Sequence, residues 1–139
     1  MLEDLYQKEI IQLARQSRQR LTLGSPKHSA RVDNPLCGDR ITVDLIIEFG
    51  TVKEIGIKVR GCALCEAASE LLMLNSVGLT SANLMYAKSN LLDYLSSKQD
   101  TPPWTQLTVF KPVKEIPSRH DCVLLPFLAV GKAFSSEIV

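Results

Sequence analysis

The sequence predicts an α+β fold, a small antiparallel sheet covered on one face by helices. Three observations predict it. Ile41, Val43, Leu45, Ile47 and Phe49 alternate with Arg40, Thr42, Asp44, Ile46 and Glu48, the period-2 signature of a half-buried strand. A second alternating run, Val52 to Arg60, passes through Ile55, Ile57 and Val59 after a Gly50-Thr51 turn. Runs this close pair antiparallel, because a parallel pair needs a long crossover. The hairpin therefore spans residues 40–60, with room for a further short strand. Helical patterns precede and follow it, and 139 residues suit one domain over 1–139.

The elements follow in order. Residues 3–19 carry Leu5, Ile10 and Leu13, with Tyr6 and Ala14 nearby, on helical spacing; Glu3 and Asp4 open the segment and Arg15, Arg18 and Arg20 close it, as the helix dipole prefers. Gly24, Ser25, Pro26, Ser29 and Asn34 make 22–34 read as an irregular connection. After the hairpin, Glu66 to Val77 is helical and stops at Gly78. Thr80 or Ser81 caps a second helix with Leu84, Leu91 and Leu95 on one face, broken by Gln99 to Pro103. Trp104, Leu107, Phe110, Val113 and Ile116 recur every three residues, with Pro112 set against a long helix. Pro117 precedes a final amphipathic segment from Arg119 to Phe134, interrupted by Pro126.

Composition excludes several classes. With 45% hydrophobic and 22% charged residues the chain is neither collagenous nor disordered. Sixteen basic residues against fifteen acidic ones leave a net charge of +1, so neither nucleic acid nor a membrane surface is expected as a partner. Met1-Leu2-Glu3-Asp4 lacks the basic start and apolar run of a secretory signal. The near-apolar stretch Cys122 to Val130 falls short of the roughly 20 residues that span a bilayer. A cytoplasmic chain is expected, as a monomer or weak oligomer.

In such a reducing compartment the four cysteines, Cys37, Cys62, Cys65 and Cys122, are read as metal or redox groups; two disulfides are the reading for an exported chain. Cys37 lies in Asn34-Pro35-Leu36-Cys37-Gly38-Asp39, which feeds the first long strand, and Cys62 ends the next one. A hairpin returns the end of its second strand to the start of its first, so Cys37 and Cys62 should be neighbours. Gly38 allows Cys37 and Asp39 to converge. Cys62 and Cys65 flank a helix start, where amide dipoles favour a thiolate. Three thiolates and one carboxylate could satisfy tetrahedral zinc or hold a [2Fe–2S] unit. Each residue also has a plainer reading: Cys122, followed by Val-Leu-Leu, as a small buried hydrophobe, Asp39 as a turn residue, His28 and His120 as surface groups. Cys62-x-x-Cys65 also fits a thioredoxin-like dithiol oxidoreductase, and the set as a whole fits a structural zinc domain.

Asn34-Pro-Leu-Cys37-Gly38-Asp39, Gly61-Cys62 followed by Ala67-Ala68-Ser69, and the distal Cys122 resemble the U-type iron–sulfur cluster assembly proteins: the NifU N-terminal domain, IscU and SufU. The opening Leu5-Tyr6-x-x-x-Ile10 is similar to that family's first helix. The chain most resembles the SufU branch. Cys122 follows Cys62 by 60 residues, Pro117-Ser118-Arg119-His120-Asp121-Cys122 resembles Pro-x-Arg-x-x-Cys, and Phe127-Leu128-Ala129-Val130 resembles Trp-x-Ala-Leu. IscU proteins place a histidine directly before the last cysteine, where this chain has Asp121.

The resemblance implies a cofactor or metal site of Cys37, Asp39, Cys62 and Cys122, holding zinc, iron or a transient [2Fe–2S] cluster. It sets Arg119 near Asp39, where a guanidinium would compete with metal for the carboxylate. It implies a carrier or scaffold more than an enzyme, with a cysteine desulfurase as sulfur donor and apoproteins as cluster acceptors. Cys37, in a loop, is the expected sulfur acceptor. Cys65 departs from the family's usual small residue, and reads as an alternative ligand, a resolving thiol or an inert helix residue.

Overall fold

The computed structural model describes residues 2–35 and 38–136. The order is α1 (Leu2–Gln19), β1 (His28–Asn34), β2 (Asp39–Glu48), β3 (Thr51–Arg60), α2 (Ala63–Ser76), α3 (Ser81–Leu95), consecutive 3₁₀ turns over Thr105–Glu115 and Pro117–Arg119, and α4 (His120–Ser135). The strands form one antiparallel sheet in the order β1-β2-β3. The hairpin forms as expected, with Ile41 opposite Val59, Val43 opposite Ile57 and Leu45 opposite Ile55, and a bulge at Ile46/Ile47.

Ile41, Val43 and Leu45 are fully buried on one face of β2. Burying such a side chain contributes about 1.5–3 kcal/mol. The exposed cross-strand pair of Arg40 and Asp33, 2.8 Å apart, is worth at most about 1 kcal/mol. The apolar alternation therefore sets the register, since a slip of one residue would turn these side chains to water. Asp39 has the same parity and is buried too. The core face of β2 thus begins with a carboxylate.

The stretch 22–34 corrects the expectation of an irregular connection. Its first half keeps the turn residues, but His28–Asn34 is a strand, pairing Ala30 with Val43 and Val32 with Ile41. It is held by an available strand edge more than by its own pattern: Val32 is its one buried residue, while Ser29 Oγ donates to Asp44 Oδ1 at 2.6 Å across the pair. This is the further short strand.

The helices cover the sheet's inner face. α4 packs on β1 and β2, α2 on β3 and α4, α1 on α2, and α3 on α4. On α1 the packed face is Tyr6, Ile10, Leu13, Ala14 and Ser17, whereas Leu5 is turned out to water. Thr80 proves to be the α3 cap, accepting from the Asn83 N–H while Asn83 returns a bond to Thr80 N, and Leu84, Leu91 and Leu95 are buried. The three-residue recurrence of Leu107, Phe110 and Val113 belongs to 3₁₀ turns, whose three residues per turn place all three inward. α4 continues through Pro126, contrary to the expected interruption, because its whole 122–127 stretch is buried and packing holds the helix across the missing N–H. Leu124, Leu125 and Phe127 are therefore core.

The succession of strand, Cys62-x-x-Cys65 and helix is present. Yet every strand pairing among the described residues is antiparallel, so the parallel βαβ layout of a thioredoxin is not this fold.

Candidate metal centre

Three separate segments meet at one end of the sheet. Asp39 is the first residue of β2, opposite Asn34 of β1. Cys62 is the N-cap of α2, two residues past the end of β3. Cys122 lies in the first turn of α4. One carboxylate oxygen of Asp39 and the sulfurs of Cys62 and Cys122 all lie within 4.8 Å of one another. Asp39 and Cys122 are buried and Cys62 is half-buried, so the group opens to solvent on its Cys62 side.

Asp39 is held in place by backbone. The Cys62 N–H donates to its Oδ1 at 2.9 Å, and the Cys62 Sγ lies 3.6 Å from its Oδ2. That carboxylate occupies the space where a side chain on residue 61 would begin: a Cβ built on Gly61 would sit 2.0 Å from Asp39 Oδ1. Gly61 is thus needed for close approach, not for an unusual backbone angle. Gly38, at φ +74°, does need the glycine backbone to enter β2, and its N–H donates to Asn34 O at 2.8 Å.

The donor set fits a metal ion. Around a tetrahedral ion with Zn–S bonds of ~2.3 Å, sulfur donors sit ~3.7 Å apart, so a separation within 4.8 Å is closed by small side-chain rotations. Two helices begin here, α2 at Cys62 and α4 just before Cys122, and their positive dipole ends favour the negative charge of thiolates. Two sulfurs and one carboxylate leave room for a fourth ligand, the arrangement of zinc sites and of iron–sulfur sites alike.

The expected site residues are thus placed as follows. Asp39, Cys62 and Cys122 come together, with Asp39 in β2 rather than in a turn and Cys122 buried. Cys37 lies outside the described residues. Arg119 ends the short 3₁₀ turn before α4 and is exposed. His120 contributes to the frame: its Nε2 lies 3.0 Å from Val113 O and ties the start of α4 to the 3₁₀ segment. Cys65 is buried one helical turn beyond Cys62 and stands outside the donor group. Gly61 was legible only as a neighbour of Cys62; its steric role depends on where Asp39 lies, which no spacing reveals.

This geometry has counterparts in known proteins. The chain matches the NifU-like N terminal domain family over residues 5–102. It is 23% identical over 131 residues to the iron-sulfur cluster assembly scaffold protein IscU of Thermotoga maritima, a match covering 93% of this chain and 92% of that protein. The solved NifU-like protein (N-terminal) of Brucella abortus superposes with a TM-score of 0.85 at 29% identity, covering 96% of this chain and 94% of that one. FiSufU, the iron-sulfur cluster assembly scaffold protein for the SUF system of Fervidobacterium islandicum, shares the fold with a TM-score of 0.75 at 18% identity over 91% of this chain and 94% of that one. With the three antiparallel strands and the flanking helices in agreement, the chain belongs to the NifU-like N-terminal domain family, the U-type iron–sulfur cluster assembly scaffolds.

Proposed function

We propose that this protein serves iron–sulfur cluster assembly, taking persulfide sulfur from a cysteine desulfurase and passing sulfur or a transient [2Fe–2S] unit to acceptor apoproteins. The observation that carries the reading is the meeting of Asp39, Cys62 and Cys122 within 4.8 Å from three distant segments. The relatives named above are scaffolds for cluster assembly, which supports the same reading.

In this reading Asp39, Cys62, Cys122 and Cys37 hold zinc or iron. Bound there, the ion would keep its sulfur ligands as thiolates, the form that attacks a persulfide. Asp39 and Cys62 are fixed by the bond between them, and Cys122 is fixed by burial in α4. Cys37, two positions before Asp39 in the sequence, is the ligand that leaves to accept sulfur. Arg119, exposed beside the start of α4, would turn onto Asp39 when the ion is lost and neutralise a buried carboxylate. The SufU-like pattern around Cys122 favours zinc-dependent sulfur acceptance over a standing cluster. The protein acts as one domain in the cytoplasm, as a monomer or weak oligomer, and no helix of the described residues is long and apolar enough to cross a membrane.

Metal analysis and absorption spectra after anaerobic purification test the site. About one zinc or iron per chain is expected; a metal-free chain that resists reconstitution overturns it. In the same preparation Cys37→Ser is expected to abolish sulfur transfer from a cysteine desulfurase, and undiminished transfer would remove Cys37 from the acceptor role.

A further inference from the structure

We infer that Cys65 is an internal reductant: it releases sulfur carried on Cys62 as sulfide, forming a Cys62–Cys65 disulfide. The inference rests on the proposed sulfur-accepting role and extends it to the reduction that role requires. Sulfur arrives at the oxidation level of a persulfide, whereas an iron–sulfur unit contains sulfide. Two electrons are needed, and a neighbouring dithiol can supply them.

The geometry supplies the dithiol. Cys62 is the N-cap of α2 and Cys65 its third residue, and neither is in a disulfide. The side chain of an N-cap residue reaches over the first turn towards the N3 residue, which here is Cys65, the spacing of the Cys-x-x-Cys disulfides of dithiol proteins. Their surroundings differ. Cys62 is half-buried at the open side of the site, its Sγ 3.6 Å from Asp39 Oδ2. Cys65 is 0% exposed, packed in the first turn of α2 with Ala67 and Ala68. An outside thiol or persulfide meets Cys62; Cys65 is reached only from within.

The step balances without an added oxidant or reductant. Sulfane sulfur reaches Cys62 directly, or by thiol exchange from the first acceptor, which changes no oxidation state. The Cys65 sulfur then attacks the Cys62 Sγ of Cys62–Sγ–SH. The Sγ–Sγ bond forms, the bond to the terminal sulfur breaks, and that sulfur departs with the electron pair as HS⁻. The proton of the Cys65 thiol goes to HS⁻ or to water. The terminal sulfur is reduced by two electrons and the two cysteines are oxidised to the disulfide. A disulfide sulfur is no thiolate ligand, so Cys62 leaves the donor set until an external dithiol reduces it. Each chain therefore releases one sulfide and stops.

The test uses the full chain, stripped of metal, treated anaerobically with glutathione persulfide as the probe and then desalted. Released sulfide is measured by colorimetry and the chain by mass spectrometry with peptide mapping. In the wild type, about one sulfide per chain is expected, with a product about 2 Da lighter and a Cys62–Cys65 linkage. In Cys65→Ala, and in Cys65→Ser as a second variant of similar volume, release is expected to fall at least roughly tenfold while an adduct of about 32 Da persists on Cys62. Equal release from both variants, or a stable persulfide on Cys62 of the wild type, overturns the role of Cys65 alone. Failure of every form, Cys62→Ala aside, to take up sulfur at the site overturns the sulfur-accepting reading and this inference with it.

Discussion

Among the described residues three acidic side chains are buried, and two different solutions accommodate them. Glu66 and Glu70, on the α2 face towards α1, are met by arginines: Arg18 Nη1 donates to Glu66 at 2.8 Å, and Arg20 grips Glu70 with two bonds of 2.5 and 2.8 Å. The bonds hold Arg20 in its charged form; the hydrogen bond to Glu70 is the main reason its pKa is raised. Asp39, at the other end of α2's first turn, receives the Cys62 N–H and lies among sulfurs. The first pair of acids is matched by fixed cations built into the chain and locks α1 on α2. The third stands among groups that could share a metal ion, where the matching charge would be exchangeable. Burial of a carboxylate alone does not mark a site; the chemistry of what faces it does.

Substitutions can break this contrast from either side. The largest effect is expected from Gly61→Ala, which removes no donor and no charge. Its new Cβ collides with Asp39 Oδ1, and it is expected to weaken zinc binding by about 10–100-fold, the scale of a lost positioning contact. Competition with a chelating dye measures it, and affinity like that of the wild type would show that Asp39 is not held as described. On the other side, Arg20→Ala leaves Glu70, 5% exposed, without its bidentate partner. It should destabilise the chain by about 2–3 kcal/mol in urea unfolding, below the ~3–5 kcal/mol of a fully buried pair because Arg20 is partly solvated. Zinc affinity should not change. The smallest effect is expected from Arg18→Ala: with that side chain 56% exposed, its loss should cost no more than about 1 kcal/mol. A loss equal to that of Arg20→Ala would mean that solvent exposure does not separate the two pairs.

Much of this was legible before any coordinates. The alternation of Ile41, Val43 and Leu45 fixed β2, and the same count of two, taken back to Asp39, puts the carboxylate on the core face. The hairpin's return explains why Cys62 comes back beside the start of β2. Cys122 was less accessible, since nothing within α4 distinguishes a buried ligand from a buried hydrophobe; its place follows from α4 packing across β1 and β2. β1 was missed because an edge strand with one buried side chain carries almost no periodic signal. The recurrence of Leu107, Phe110 and Val113 was visible but fitted neither helix nor strand, because it belongs to a three-residue turn.

The donors stand on the first residue of β2, the cap of α2 and the opening turn of α4, so a captured ion would act as a rivet through sheet and both helices. Loading should then raise the melting temperature of the whole chain, and surrendering the load should loosen every part it joined. A recipient protein could sense that slackening as readily as the ion itself.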